Sequence, residues 1–223
     1  MKKIIFLTAL ALLAGACGTS NEVKNTTANA PAANAPAANT ATTTSEPPKQ
    51  EVFTAGVDPR ADVISATQKL QKLESWSAQI SSETTPAAKA EMEFIAPDRY
   101  HIKKAGGEVI VIGNDSYENQ KGKWKKLDDN IGEYINSQTK AGINEAIKSL
   151  KEVQIVGKEK VGDKDATIYQ HINGEVKTKV WIADASGQIL KNEVEAIIGG
   201  EMQKQTTVYN YDKKITIEAP KVD

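Results

Sequence analysis

The feature that most constrains the fold of this 223-residue chain is a period-two alternation of apolar and polar side chains, repeated in short runs as far as Tyr211. In the first run, Trp76, Ala78 and Ile80 alternate with serine and glutamine. This period is that of a β-strand with one apolar face. Turn-forming pairs such as Asn173-Gly174 separate the runs, and Asn-Gly is a strong hairpin signal. The pattern predicts short antiparallel strands joined by tight turns.

Two blocks with helical spacing interrupt the strands. Asp58 is a predicted N-cap with Pro59 at the first helical position, and apolar residues follow at helical spacing as far as Leu73. The second block runs from Asp128 to Lys151, and Gly142 within it predicts either two helices or one kinked helix. The sum is an α+β domain with ten or eleven antiparallel strands.

The N-terminus has the pattern of an export signal. Lys2 and Lys3 precede an apolar run of about ten residues, and small residues lead into Cys17, the only cysteine. The run is too short to cross a bilayer, which needs ~20 apolar residues. Residues 1–16 are therefore predicted to be a signal peptide that is removed.

The segment that ends at Cys17 resembles the lipobox of bacterial lipoproteins, with Ala14 where leucine is usual. Lipidation of Cys17 would anchor the chain to a membrane. Ala14 and Ala16 also suit ordinary signal peptidase cleavage, which would leave a secreted protein with a free thiol. With lipidation, the expected location is the cell envelope. The outer membrane facing the periplasm is favoured because Gly18, not aspartate, follows the cysteine; otherwise the anchor lies in the outer face of the cytoplasmic membrane.

Residues 17–56 differ in composition from the rest of the chain. Alanine, asparagine, threonine and proline dominate, and the pentapeptide at 29–33 repeats directly at 34–38. Between Val23 and Val52 there is no large apolar side chain, so little can offset the entropy of ordering this segment. It is predicted to be a disordered tether. Residues 57–223 then form one domain of ordinary size.

Within that domain, several short motifs occur in a fixed order. They are Glu93-Phe94-Ile95-Ala96-Pro97-Asp98-Arg99-Tyr100, Gly107 to Gly113, Gly122-Lys123-Trp124-Lys125-Lys126-Leu127, Lys179-Val180-Trp181-Ile182, Gly187 to Lys191, Thr206 to Asp212 and Ile215 to Pro220. Their order resembles the LolA-like superfamily of lipoprotein and lipid carriers, including the anchored LppX and LprG group. The resemblance implies an unclosed antiparallel half-barrel whose concave side is covered by helices and holds the acyl chains of a lipid or lipoprotein.

The alternation marks the side chains that would line such a concave face. They are Trp76, Ile80, Met92, Phe94, Tyr100, Ile102, Val109 and Val111. A half-barrel presents apolar side chains on this face whether or not a ligand fills it. For each of these residues, a dry packed core therefore remains the alternative to ligand contact.

A run of lysines surrounds one tryptophan in the predicted sixth strand. Lys123, Trp124 and Lys125 are predicted to contact anionic lipid headgroups, with the indole at the interface. The alternative is a solvated edge strand, which lysine protects against aggregation.

The sequence offers little for catalysis. There is no nucleophile elbow, phosphate-binding glycine loop or cysteine and histidine metal spacing. His101 and His171 are predicted to be solvated strand histidines, and Asp128-Asp129 and Asp163-x-Asp165 to be turn or capping residues. A net charge of −1 argues against nucleic-acid binding. We therefore expect no enzyme, cofactor or metal.

These observations predict a membrane-anchored envelope lipoprotein that binds lipid or lipoprotein acyl chains, with transport between membranes as a further role. The alternative is an envelope sensor or interaction lipoprotein with a dry core. The same resemblance supports it, since envelope-stress sensors that resemble sigma-factor regulators use this half-barrel.

Overall fold

A computed structural model describes residues 55–83, 89–127, 135, 143–198 and 200–222. The predicted signal peptide, Cys17 and the tether as far as residue 54 lie outside the described residues. So do Asp128, Asp129 and Gly142.

The domain opens with helix α1 (Pro59–Gln71), whose N-terminus is capped as the sequence predicts. The Asp58 carboxylate accepts hydrogen bonds from the backbone N–H groups of Arg60 and Ala61, both at 3.0 Å. These bonds satisfy two N–H groups that a helix end leaves without partners. The buried apolar residues of α1 are Val63, Ala66 and Leu70.

Within the described residues, eleven strands form a single antiparallel sheet. They are β1 (Ser75–Ser82), β2 (Lys89–Ile95), β3 (Arg99–Lys104), β4 (Gly107–Ile112), β5 (Asp115–Gln120), β6 (Lys123–Leu127), β7 (Gln154–Val161), β8 (Lys164–Asn173), β9 (Val176–Ala183), β10 (Ile189–Ile198) and β11 (Glu201–Asn210). Their spatial order is β6-β5-β4-β3-β2-β1-β11-β10-β9-β8-β7, so the sheet is unclosed, with β6 and β7 at its edges. The predicted strand number and the unclosed antiparallel sheet are confirmed. A second helical stretch, 143–149, precedes β7.

The strand register divides the sheet into two faces. Val109, Ile102, Met92, Ala78 and Tyr209 are successive Cα partners across five strands, and partners across a ladder project to the same side. Ala78 and Tyr209 belong to the buried cluster that includes α1. We call this side the helix face and the opposite side the back face.

The segment after β11 covers part of the back face. Ile215 to Glu218 was predicted to be a strand, but residues 213–222 form no strand. Ile217 instead packs with Ile110 and Tyr117, and Arg99 Nη1 donates a hydrogen bond to its carbonyl oxygen at 2.8 Å. Apolar and polar residues alternate in this segment because one side of it is buried against the sheet. Such burial does not require the segment to pair with a strand.

A buried carboxylate, Glu93, ties this segment to the back face. Its oxygens lie 2.7 Å from Lys213 Nζ, 3.2 Å from His101 Nδ1 and 3.8 Å from Lys103 Nζ. Burial by itself raises the pKa of Glu93, but the hydrogen bond from Lys213 and the nearby cations outweigh it and hold the pKa below the ordinary value of 4.5. The other ring nitrogen of His101 lies 2.8 Å from Glu108. His101 is therefore paired with two carboxylates, and the prediction of a solvated histidine was wrong.

The lowered pKa of Glu93 predicts a loss of stability in acid. A carboxyl group whose pKa is lower in the folded state stabilises the fold above its unfolded pKa, and this contribution is lost as the pH falls through the folded value. Wild-type protein should therefore lose more stability than Glu93→Gln as the pH falls below about 4.5, measured by urea unfolding midpoints. Glu201→Gln, at an exposed position, serves as the control and should follow the wild type. If the unfolding midpoints of wild type and Glu93→Gln fall equally below pH 4.5, the lowered pKa of Glu93 is contradicted.

Candidate functional site

The predicted lining residues come together in one group on the helix face. Met92, Tyr100 and Val111 are buried there with Ile135. The remaining members pack around them: Trp76, Ile80, Phe94, Ile102 and Val109. We call these nine residues the apolar cluster. It contains all eight predicted positions together with Ile135, which lies in the second predicted helical block and was not among the predicted lining residues.

The members of the apolar cluster differ in exposure. Met92, Tyr100 and Val111 are at most 4% exposed and belong to the core. The other five predicted residues are only partly buried. These five are the side chains that a ligand could touch without unfolding of the sheet.

A row of aromatic rings runs through the helix face. The ring centroids of Tyr100 and Phe94 lie 5.1 Å apart, those of Phe94 and Trp76 5.4 Å, and those of Trp76 and Tyr209 5.5 Å. Tyr211 stacks on Tyr209 at 6.2 Å. Burial raises the pKa of both Tyr209 and Tyr211, so their hydroxyls stay neutral. The row therefore adds large apolar surface without charge.

A cavity of about 70 Å³ lies on the same face, between α1, the 143–149 helix and strands β8 to β10. Its apolar walls include Val63, Leu70, Ile147, Leu150, Val180 and Ile189. Arg60 Nε donates to the carbonyl oxygen of Leu150 at 3.0 Å and so joins α1 to the end of the neighbouring helix. Pockets for whole small molecules usually measure about 300–1,000 Å³. A cavity of this size holds one group of a ligand, or a few waters.

His171 lines this cavity. It shares a face with Tyr169 and alternates with Ile172, which is 58% exposed on the back face. Burial lowers the pKa of His171, which favours the neutral imidazole. The prediction of a solvated histidine was therefore wrong here too.

The predicted headgroup residues do not share one face. Lys123 and Lys125 are exposed, and their ladder partners place them on the helix-face side of the edge strand β6. Trp124 projects to the back face, where it packs, partly buried, against the group formed by Ile110, Tyr117 and Ile217. The structure thus separates the indole from the two lysines, and headgroup contact by the lysines stays a prediction.

The described residues contain no cluster of histidine, cysteine, aspartate or glutamate that could hold a metal ion. Of the predicted turn residues, Asp163 lies in the turn between β7 and β8, but Asp165 lies within β8, where its carboxylate pairs with Lys160 Nζ on β7 at 2.7 Å. No helix in the described part of the chain has the length and apolar character needed to span a membrane.

Two solved structures share this arrangement of strands and helices. The lipoprotein LppX of Mycobacterium tuberculosis matches with a TM-score of 0.56, over 72% of this chain and 98% of LppX, at 13% identity. LprF from Mycobacterium bovis matches with a TM-score of 0.56, over 75% of this chain and 99% of LprF, at 10% identity. The chain has the LppX fold.

The motif-based expectation of an LppX-like, LolA-like fold is thereby confirmed. At these identities the likeness to LppX shows the fold alone. No protein-family model matches the chain, and no curated protein does.

Proposed function

We propose that this protein is an envelope lipoprotein, anchored through a lipidated Cys17, that binds the acyl chains of a lipid or lipoprotein on its helix face. It acts as a binding protein and catalyses no reaction. One observation carries the proposal: partly exposed apolar side chains gather on one face of an unclosed sheet with the LppX fold. LppX itself is a lipoprotein.

The apolar cluster is suited to an alkyl chain because it presents apolar contacts without charge. Burial of each methylene of a chain contributes ~0.8 kcal/mol. About seven buried methylenes therefore contribute about 5–6 kcal/mol before the cost of association. A chain laid across Val109, Ile102, Phe94 and Trp76, which are all partly buried, would contact strands β4 to β1 in turn.

In this proposal the helices cover the bound acyl chain. In the described residues, α1 packs on the part of the helix face formed by Ala78, Val180 and Tyr209. Ile135, also in helical backbone, packs on the apolar cluster. We infer that the helices cover the concave side of the half-barrel and part to admit the chain. The favoured location is the outer membrane, on its periplasmic side.

The experiment is a titration with a fluorescent fatty acid. The protein carries Cys17→Ser, so that its own acyl anchor cannot occupy the site. A saturable rise in emission at one fatty acid per chain supports the proposal. A linear response without saturation contradicts it and favours an interaction lipoprotein with a dry core.

A separate prediction concerns the two exposed lysines of β6. Replacing both Lys123 and Lys125 by glutamate should weaken binding to anionic vesicles at least about tenfold at low salt, since each lysine contributes ~1 kcal/mol near such a surface. Vesicle co-sedimentation of the Cys17→Ser protein measures the effect. The control is glutamate at Lys214 and Lys221, two exposed lysines of the C-terminal segment, with the same change in net charge. Equal losses in both double variants would show that only total charge matters.

A further inference from the structure

Three large apolar side chains are exposed at one end of the sheet. Ile172 is 58% exposed, Ile197 47% and Met202 59%. Each lies one residue inside the end of its strand, next to the β8–β9 turn or the β10–β11 turn. We call the end of the sheet that carries these two turns the hairpin end. Exposed apolar side chains that gather in one place mark an interaction surface.

The strand register puts the three side chains on the back face. Ile197 and Met202 are Cα partners. Ile172 lies opposite Lys177 on β9, and Lys177 lies opposite Glu195 on β10. Glu195 comes two residues before Ile197 and so shares its face. Two strand spacings of ~4.8 Å and two residue rises of ~3.3 Å put the Cα atoms of Ile172 and Ile197 about 12 Å apart. The three side chains can therefore meet one surface together.

Exposed lysines lie at the same end. Because β1 ends where β11 begins, the connections β1–β2, β3–β4 and β5–β6 also lie at the hairpin end. Lys89 starts β2, Lys121 lies in the β5–β6 turn and Lys123 starts β6. All three are exposed, and none forms an ion pair with a described residue. These cations are available to an anionic surface.

The two ends of the sheet differ in charge. The connections at the hairpin end, with the strand residues that flank them, hold four lysines and three glutamates: Lys89, Lys104, Lys121, Lys123, Glu83, Glu175 and Glu201. The turns at the opposite end, with their flanking residues, hold four aspartates and two cations: Asp98, Asp115, Asp163, Asp184, Arg99 and Lys164. Beside the exposed apolar side chains, Lys177 Nζ lies 3.0 Å from a Glu195 oxygen, so this pair adds no net charge. An anionic membrane surface therefore attracts the hairpin end and repels the opposite one.

The hairpin end also adjoins the apolar cluster of the helix face. Ile80, Ile102 and Val109 are partly buried members of that cluster. Each lies two residues from the end of its strand at the hairpin end, a distance of about 7 Å along the strand. A bilayer that touches this end is therefore within reach of the apolar cluster. A protein partner would have no need of this continuity, so it favours a lipid surface as the occupant.

We propose that the hairpin end docks on the surface of a lipid bilayer that contains anionic lipids. Ile172, Ile197 and Met202 enter the boundary between headgroups and acyl chains, where apolar side chains of interfacial segments are buried. The three exposed lysines contact the headgroup phosphates. This inference rests on the proposed acyl-chain binding, because docking in this orientation gives a chain a short path from the bilayer to the apolar cluster.

The first test places a fluorescent label at either end of the sheet. Cys17→Ser removes the only cysteine of the mature chain, so Ile197→Cys or Asp163→Cys then provides a single attachment site. Vesicles contain equal amounts of phosphatidylglycerol and phosphatidylcholine, with or without a doxyl-labelled lipid as quencher. When vesicles are added, emission from position 197 should shift to shorter wavelength and be quenched by the doxyl lipid. Emission from position 163, an exposed turn position at the opposite end, should stay unchanged.

Met202→Asp tests the same surface without a label. It should weaken co-sedimentation with these vesicles about tenfold or more, because burial of one large apolar side chain is worth at least that factor. The matched control is Val208→Asp, which brings the same change in net charge. Val208 is also exposed on the back face, but it lies toward the other end of β11. Val208→Asp should bind vesicles like the Cys17→Ser protein, and circular dichroism checks the fold of both variants.

A fluorescent fatty acid titration of the same proteins separates this inference from the proposed function. If the label at position 197 stays in water while the titration saturates, docking by the hairpin end is overturned and acyl-chain binding stands. Equal losses for Met202→Asp and Val208→Asp overturn it too, since only total charge then matters. An emission shift that rises with protein concentration in the absence of vesicles assigns the surface to a second copy instead. If the fatty acid does not bind, the proposed function fails, whatever the label reports.

Discussion

Ile102→Gln is expected to weaken acyl-chain binding about tenfold or more. Ile102 is partly buried in the apolar cluster, between its ladder partners Met92 and Val109. Glutamine keeps most of the volume but replaces apolar surface with an amide. At about 25 cal/mol per Å², loss of ~60 Å² of apolar contact costs about 1.5 kcal/mol, which corresponds to about tenfold in affinity.

The matched control is Ile172→Gln. Ile172 is also a strand isoleucine, but it is 58% exposed on the back face. Its substitution should leave the fatty acid titration unchanged. If Ile102→Gln, folded as judged by circular dichroism, binds with wild-type affinity, acyl chains do not occupy the apolar cluster.

Tyr169→Ala is expected to destabilise the domain by about 3–5 kcal/mol. Tyr169 is fully buried, and its ring packs in the cluster that joins α1 to strands β8 to β10. Its hydroxyl donates to Asp62 Oδ2 at 2.7 Å, and the same carboxylate oxygen accepts from the Gly56 N–H at 2.7 Å. The substitution removes both the ring volume and one partner of a buried carboxylate. A loss of this size should lower the Tm by roughly 6–20 °C, measured by calorimetry.

Tyr169→Phe separates the two contributions. It keeps the ring and removes only the hydroxyl, so about 1–3 kcal/mol should be lost because Asp62 then lacks one buried partner. Burial and the neighbouring Asp62 raise the pKa of Tyr169, which keeps the hydroxyl a donor. A Phe variant as unstable as the Ala variant would mean that the hydrogen bond, and not the ring packing, carries the stability.

Much of the fold is predictable because its signals are local. Alternation and turn residues assign strands one at a time, and Asp58-Pro59 marks the start of α1 without reference to the rest of the chain. The same alternation places Met92 and Tyr100 on a common face. It could also have placed Trp124 opposite its neighbouring lysines, because successive strand residues project to opposite sides.

Other features depend on contacts between distant parts of the chain. The pairing of β1 with β11, which puts Ala78 opposite Tyr209, is invisible to a short window of sequence. Residues 215–218 alternate as a strand would, yet they pack on the back face without pairing. His171 looks solvated in its own strand, and it is partly buried because α1 and the 143–149 helix line the same cavity beside it.

Native mass spectrometry combined with lipid extraction shows whether the helix face holds an acyl chain. A soluble form that starts at Ala55 keeps the Gly56 N–H that bonds Asp62. Purified without detergent, it should carry one lipid per chain, or take one up from added monoacylglycerol or phospholipid. A bare protein mass, with no uptake from either lipid, would contradict acyl-chain binding and leave the apolar cluster as a dry core.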